Sequence, residues 1–397
     1  MKISAKIMAL FICISINSIA QNSQNDSIKK EKFVPSLSVG GRIMYDFNRI
    51  ESYNDEDSFT GSEFRRARIE LSGEVAENIG FQFQADFANA VVRFKALNIY
   101  FDNIPKIGGR LSVGNIHEPF SLDQLTSSKY ITFIERGTPT DFILKWRTGF
   151  LYENFNLFHG KVGLQLAYTA NNTNSGLIDV KLEDGRNISG RISGLVFNNK
   201  EKNQLLHLGL SYSYSTPIHI NENETRQFVV AVKPEAHMAN VSLFNVFDDV
   251  KDVQITGVEA AYNWGRLSVQ GEFVHANVFT NLGNFSVPTY YGYVSYFITG
   301  EHRPYKQSEN LFGRVSPLKE FNFKDNWGAF ELAARYSSFD LTDANEGKLD
   351  NITLGVNWYL NSRTRIMYNF IISDDQGPEN TNIHLLRFQI DFGKTFK

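Results

Sequence analysis

Alternation of apolar and polar residues is the dominant pattern along this chain, and it is clearest near the C-terminus. There, apolar side chains occupy every second position, at Leu386, Phe388, Ile390 and Phe392. A period of two residues is that of a β-strand whose two faces meet different surroundings. The pattern therefore predicts a strand with one apolar and one polar face.

Sixteen segments carry this pattern or a less regular form of it. They are residues 37–47, 67–75, 81–87, 94–101, 109–116, 147–153, 162–169, 188–196, 206–214, 254–264, 267–274, 289–299, 330–338, 352–360, 365–370 and 386–392. The connections between them alternate, with short turns such as 77–78, 265–266 and 361–363 separated by mostly longer, polar ones. Short turns on one rim and long loops on the other are typical of a barrel in an outer membrane.

The predicted fold class is therefore all-β: a transmembrane antiparallel β-barrel of about 16 strands, with short periplasmic turns and long extracellular loops. A soluble β-sandwich also alternates, but its loops need not lengthen at every second connection. Beyond residue 20, no apolar run approaches the roughly 20 residues that a membrane-spanning helix needs. This excludes a helical membrane protein.

The N-terminus has the features of a secretory signal peptide. Lys2 and Lys6 precede the apolar run 7–16, and Ser18-Ile19-Ala20 offers a small-x-small cleavage point. We expect a signal peptide at 1–20, a polar lead-in at 21–35 and a barrel domain at 36–397. The predicted location is the bacterial cell outer membrane, reached by export.

The overall charge is close to neutral, with 40 Lys and Arg against 43 Asp and Glu. Such a balance gives no general attraction to nucleic acid, so we expect no nucleic-acid partner. Any preference for anions must arise locally.

If the apolar face of each strand meets lipid, the opposite face lines the lumen. Eight arginines have that inward parity: Arg42, Arg66, Arg68, Arg110, Arg191, Arg335, Arg365 and Arg387. Guanidinium groups favour anions, and their forked donors match phosphate oxygens. The i, i+2 spacing of Arg66 and Arg68 places their heads on one face, roughly 6.6 Å apart.

Carboxylates share the inward parity, so a second interpretation stays open. They are Glu70, Glu74, Asp86, Glu259, Glu272, Glu331 and Asp391. Pairing across strands would neutralise the lumen and leave a general diffusion channel. Arg42, Arg66 and Arg68 are the strongest candidates for contact with permeating anions.

Residues 118–144 form too long a connection for a simple turn, and they include many apolar side chains. Long loops without strand pattern are usually functional or disordered. We interpret this one as a constriction loop packed inside the barrel, with Lys129 and Arg136 as cations of the pore; packing at a subunit interface is the alternative. The roles of two further long connections, 216–251 and 300–324, are left open.

Eight strings of sequence, in order along residues 41–360, resemble the phosphate-selective porin O and P family. They are GR at 41, FRRARI at 64, FQFQADFA at 81, the segment 114–136, SYFITGEHRPY at 295, FGRV at 312, GAFELAARYSSFDL at 328 and TLGVNWYL at 353. The resemblance implies a sixteen-stranded barrel, usually trimeric, with a basic eyelet formed partly by an infolded third loop.

Enzyme signatures are absent from the sequence: the eight histidines are scattered, and there is no HExxH, no GxSxG and no metal-ligand spacing. We expect no enzyme activity and no cofactor. The predicted function is an outer-membrane porin for passive diffusion of small hydrophilic solutes, preferring phosphate or other small anions. Its expected partners are those anions, outer-membrane lipid and two further copies in a homotrimer. A general or organic-solute porin is the alternative, followed by a barrel hydrolase or a structural barrel.

Overall fold

The computed structural model describes residues 33–52, 58–170, 185–216, 219–220 and 226–396. The chain divides into Met1–Val34 and Pro35–Lys397. The predicted signal peptide at 1–20 and most of the lead-in at 21–35 lie outside the described residues.

Sixteen antiparallel strands close into a barrel, in the order β1–β9, β13–β15 and β18–β21, with β21 pairing back onto β1. Each of the sixteen predicted segments is one of these strands, so the predicted fold class is confirmed. The strands are β1 (Ser36–Glu51), β2 (Phe59–Ala76), β3 (Ile79–Asp86), β4 (Arg93–Asp102), β5 (Arg110–His117), β6 (Trp146–Leu157), β7 (Val162–Ala170), β8 (Arg186–Asn199), β9 (Gln204–Ser215), β10 (His219–Ile220), β11 (Arg226–Val232), β12 (Leu243–Phe247), β13 (Val250–Trp264), β14 (Leu267–Thr280), β15 (Asn284–Phe297), β16 (Tyr305–Lys306), β17 (Leu311–Phe312), β18 (Ala329–Asp340), β19 (Lys348–Tyr359), β20 (Thr364–Asp374) and β21 (Thr381–Phe396).

Helical structure in the described residues is limited to single turns. Two are α-helical, at Leu122–Leu125 and Pro139–Phe142, and two are 3₁₀ turns, at Ala88–Ala90 and Thr342–Ala344. Among the described residues, no helix has the length and apolar character needed to cross a membrane.

The two faces of the barrel strands differ as the alternation predicts. On β1, Ile43 is exposed on the outside, whereas its neighbours Arg42 and Met44 are buried on the inside. Phe392 of β21, which pairs with Gly41, is likewise exposed. The outer belt is therefore apolar and the inner surface is rich in polar groups, as a barrel with lipid outside requires.

Two segments from the long-loop rim fold into the barrel. The first infolded segment, residues 118–145, connects β5 to β6 and carries both short α-helices. The second infolded segment, here the described residues 219–220 and 226–249, lies between β9 and β13 and contains the small sheet β10–β11–β12. Apolar residues of the second, such as Phe228 and Phe247, pack with Phe142 and Phe339 in the largest hydrophobic cluster.

A third segment enters from the opposite rim. Residues 298–328, here called the periplasmic insert, connect β15 to β18 on the short-turn side and contain the hairpin β16–β17. The long connection predicted at 300–324 is thus present. The long-loop rim has its own exception, because β14 and β15 are joined by residues 281–283 alone.

Candidate functional site

Two β-bulges shape the inner wall next to the first infolded segment. Met44 pairs with Arg66 and Tyr45 with Phe64, so Arg65 has no partner on β1. A bulge inserts one extra residue and turns its side chain, and bulges are common beside functional sites. Arg65 therefore faces the interior together with Arg66, although strict alternation would point it at lipid.

The second bulge lies on β4. Phe83 pairs with Leu97 and Ala85 with Phe94, so two residues of β4 stand opposite the single residue Gln84 of β3. One of these two is Lys95, whose side chain joins those of the neighbouring strand at the inner wall. Because the bulges turn Arg65 and Lys95 inward, five cations from β1, β2 and β4 share one patch of the wall: Arg42, Arg65, Arg66, Arg68 and Lys95.

Buried arginines of β18, β20 and β21 hold the first infolded segment against the barrel wall. Arg365 donates to the carbonyl oxygen of Ile131 at 2.8 Å, and Arg387 donates to that of Ile134 at 2.6 Å. Arg335 donates to the carbonyl of Glu135 at 3.0 Å. Main-chain carbonyls of an irregular segment need donors when they are buried, and these guanidinium groups supply them.

A carboxylate of the first infolded segment is surrounded by guanidinium groups. Glu135 accepts hydrogen bonds from Arg65 at 2.7 and 2.9 Å and from Arg387 at 2.9 Å, and Arg66 Nη2 lies 3.8 Å away. Burial alone would raise the pKa of Glu135, but the charges of Arg65, Arg66 and Arg387 hold it well below its usual range. Glu135 is therefore ionised at neutral pH and offsets part of the positive charge.

Other cations of this patch have carboxylate partners in the wall. Glu70 accepts from both Arg42 and Lys129, the latter at 3.0 Å. Asp86 accepts from Arg68 Nε at 2.6 Å. These pairs reduce the charge that each guanidinium presents to a solute. Arg42 Nη1 also donates to Ser128 at 2.7 Å, and Arg68 Nη1 donates to Gln84 at 3.4 Å.

A cavity of about 810 Å³ opens between this wall and the two infolded segments. Among the described residues, its charged lining is strongly biased, with nine lysines and arginines against three carboxylates. The carboxylates are Glu135, Asp141 and Glu235, and the cations are Arg42, Arg65, Arg66, Arg68, Lys95, Arg136, Lys145, Arg147 and Lys233. The cavity therefore carries a positive potential although the whole chain does not.

The second infolded segment is fixed by its own polar contacts. Glu235 accepts hydrogen bonds from Arg335, from Ser337 at 2.6 Å and from Thr353 at 2.9 Å. His237 lies 2.8 Å from Glu63 on β2. The segment thus bridges the wall at β2 and the wall at β18 and β19, and it bounds the cavity.

The periplasmic insert fills part of the other half of the barrel. Arg303 donates to Gln270 at 2.7 Å, and Asn310 donates to the carbonyl of Ser193 at 2.9 Å. The Tyr305 hydroxyl lies 2.7 Å from Nδ1 of His207. These contacts attach the insert to β8, β9 and β14, so the described interior is narrowed from both ends.

The structure separates the ten predicted site residues into two groups. Four line the cavity: Arg42, Arg66, Arg68 and Arg136. Arg136 donates to the carbonyls of Asp123 and Thr126 at 2.7 and 2.6 Å, so it also braces the loop.

The other six lie outside the cavity lining. Lys129 and Arg365 border a much smaller space beside the first infolded segment. Arg110 pairs with Asp102 at 2.7 Å near the short-turn rim. The remaining three, Arg191, Arg335 and Arg387, are almost fully buried in ion pairs.

Sequence reasoning missed five cations of the cavity: Arg65, Lys95, Lys145, Arg147 and Lys233. A bulge hides the inward direction of Arg65 and Lys95, because counting by twos fails across it. Lys145 and Lys233 lie on irregular connections, where alternation carries no information. Only the FRRARI string itself, with two adjacent arginines at a strand start, hinted at Arg65.

The model of the phosphate-selective porin O and P family matches residues 37–392, most of the described barrel. The chain belongs to this family. The predicted family is confirmed, and the chain is an outer-membrane porin. Porin O of Pseudomonas aeruginosa is 23% identical to it over an alignment covering 90% of this chain and 88% of that protein.

Solved porin structures share the fold. An anion-selective porin from Comamonas acidovorans superposes with a TM-score of 0.58 at 14% identity, covering 90% of this chain and 100% of that one. The trimer form of OmpT from Vibrio cholerae gives a TM-score of 0.53 at 12% identity, covering 91% and 100%. At such identities the likeness shows the barrel architecture.

Proposed function

We propose that this porin passes small anions in preference to cations and that the 810 Å³ cavity selects them. The observation that carries the proposal is the bias of nine cations against three carboxylates among the described residues of the cavity lining. A passage lined by one sign of charge raises the local concentration of the opposite ion and excludes like charge.

Arg66 and Lys95 are weakly compensated cations of the cavity. The Nε of Arg66 is buried without a hydrogen-bond partner within the described residues, and its carboxylate neighbour is at 3.8 Å. In the same part of the chain, the Lys95 ammonium forms no ion pair. An anion that enters the cavity would exchange water for contacts with these two groups.

Phosphate is the anion that the arginine chemistry favours. Guanidinium groups offer paired donors in a plane, which match two oxygens of a phosphate group better than a spherical ion. Arg66 and Arg68 project from one face of β2 into the cavity, where such a group would meet both. The name of the family and that of Porin O, its relative in Pseudomonas aeruginosa, agree with this preference.

A general porin without phosphate preference is the second candidate, and the ion pairs favour it. Arg42 pairs with Glu70, Arg68 with Asp86 and Arg65 with Glu135, so part of the cavity charge is neutralised. Pairing of this kind stiffens a wall without selecting a solute.

Four further expectations accompany the proposal. We propose export by a signal peptide at 1–20 and lipid contact through the exposed apolar belt. We also propose assembly as a homotrimer, for which the trimer form of OmpT is a precedent. Membership of a porin family supports a diffusion channel over a hydrolase.

The double variant Arg66→Gln and Arg68→Gln tests the proposal. In a planar bilayer under a KCl gradient, its reversal potential should shift toward the potassium potential relative to the unmodified protein. Arg49→Gln is the matched control, since Arg49 is exposed at the long-loop end of β1 and pairs only with Glu51 among the described residues. A double variant that folds, as judged by heat-modifiable migration, and keeps an unchanged reversal potential would refute the role of this cavity.

A further inference from the structure

The two walls of the 810 Å³ cavity differ in chemistry. We propose that the cavity is built for amphipathic oxyanions, in which a phosphate or carboxylate head is joined to a short apolar group; this rests on the proposed anion preference. The head would meet the basic wall and the apolar group would meet the wall opposite.

The basic wall belongs to the barrel. Arg42, Arg66 and Arg68 extend from β1 and β2, and Lys95 extends from the bulge of β4. All of these side chains start from hydrogen-bonded strands, so their positions are held by the barrel itself. A charged head group would therefore meet a fixed array of donors.

The apolar wall belongs to the infolded segments and the start of β6, which also carry the cavity cations Lys145, Arg147 and Lys233. Six residues of the cavity lining supply it: Leu144, Trp146, Phe228, Val229, Ala231 and Val241. Val229 and Val241 are 41% and 44% exposed, although they lie on a segment that folds into the barrel. A clustered apolar surface of this kind usually marks a binding surface.

Aromatic contacts make this wall firm. The ring of Phe228 packs at 5.3 Å from that of Phe142, and Trp146 lies 4.4 Å from the ring of His117. An apolar wall that holds its shape gains binding energy from an apolar group without first having to order itself.

Inorganic phosphate has no apolar group that could contact the apolar wall. A small hydrated ion gains nothing from contact with valine and phenylalanine, whereas each methylene group fully removed from water strengthens binding about fourfold. The cavity volume also falls in the range of pockets that take small organic molecules, roughly 300–1,000 Å³. Both features fit an organic anion better than a bare one.

A series of n-alkyl phosphates tests the proposal, because its members share one head group and differ only in apolar length. Methyl, ethyl, butyl and hexyl phosphate would each be titrated against the chloride current of the full-length protein in a planar bilayer. The half-blocking concentration should fall about twofold per methylene, since a chain lying on one wall is about half removed from water. Equal values across the series would overturn the proposal.

The outcomes separate this inference from the proposed function. Block by every phosphate at one concentration leaves the anion site intact and removes the apolar contact. Block by none of them removes both. Hexylammonium has the same chain and the opposite charge, so it should not block; equal block by hexylammonium would contradict the two-wall arrangement.

Substitutions in the apolar wall test which residues contact the alkyl chain of the blocking phosphate. Val229→Ser with Val241→Ser should bring the half-blocking concentrations of methyl and hexyl phosphate together. Phe244→Ser is the matched control, since Phe244 is exposed on the same infolded segment but does not belong to the cavity lining. If the control brings the half-blocking concentrations of methyl and hexyl phosphate as close together as the double variant does, the apolar wall has been assigned to the wrong residues.

Discussion

Single carboxylates decide how much positive charge the pore presents to a solute. Glu135 is the clearest case, because it takes hydrogen bonds from Arg65 and Arg387 and lies 3.8 Å from Arg66. It occupies the place that a permeating oxyanion would take among these guanidinium groups. Its charge should therefore weaken the attraction of the cavity for anions.

Glu135→Gln should make the channel more anion-selective. Two unit charges about 4 Å apart interact by about 1 kcal/mol even in bulk water, which corresponds to about a fivefold change in the permeability ratio of chloride to potassium. Reversal potentials under a KCl gradient measure that ratio. Glu320→Gln, which changes an exposed residue of the periplasmic insert, is the control; a lower anion selectivity in Glu135→Gln would contradict the assignment.

Arg387→Met should destabilise the folded barrel. Arg387 is completely buried and donates to Asp46 at 2.7 Å through both Nε and Nη2, as well as to Glu135. Its loss leaves buried carboxylates without a counter-charge, which costs about 3–5 kcal/mol.

Urea unfolding in lipid vesicles, followed by tryptophan fluorescence, measures this change in free energy. The control, Arg49→Met, breaks an exposed pair and should cost at most about 1 kcal/mol. Equal urea midpoints for the two variants would show that the buried ion pairs of Arg387 stabilise the barrel no more than the exposed pair of Arg49.

The alternation of residues predicted which face each regular strand position takes, and little more at this scale. It placed Arg66 and Arg68 inside, where they line the cavity. It missed Arg65 and Lys95, because a bulge shifts the count by one. It also gave no sign that Arg365 would bind a loop carbonyl, since the partner lies far away in an irregular segment.

At the scale of elements, three infolded segments give this barrel its interior. The sequence located all three as connections too long for turns, and the apolar content of 118–144 indicated packing inside. Where the other two would lie was not predictable, since their contacts are with residues far away in the chain. One example is the bond between Tyr305 and His207, 98 residues apart in the chain.

Replacing the periplasmic insert by a short turn should enlarge the channel. The insert places Arg303, Tyr305 and Asn310 against the inner wall, where they exclude solvent from the short-turn half of the barrel. Single-channel conductance of a variant with residues 301–326 replaced by a tight turn should exceed that of the intact protein.

Shortening the exposed connection 375–380 on the opposite rim is the matched control for the insert. It should leave conductance near the original value. If a folded variant without the insert keeps the original conductance, the insert does not narrow the path that ions take through the barrel.

At the scale of the whole molecule, positive charge is concentrated in one part of the barrel interior, although the chain as a whole has no excess of it. The chain has a formal net charge of −3, yet the lining of its large cavity has six more cations than carboxylates. The composition therefore excluded a general affinity for anions, while the fold concentrates cations on one inner patch. A weakly acidic protein can in this way present a positive passage to solutes.

The reversal potential of the purified, unmodified protein tests the central claim most directly. It would be recorded in a planar bilayer across a KCl gradient, before and after millimolar phosphate is added. We expect a reversal potential between zero and the equilibrium potential of chloride, and a chloride current that phosphate reduces. A conducting channel with a reversal potential on the potassium side would contradict it.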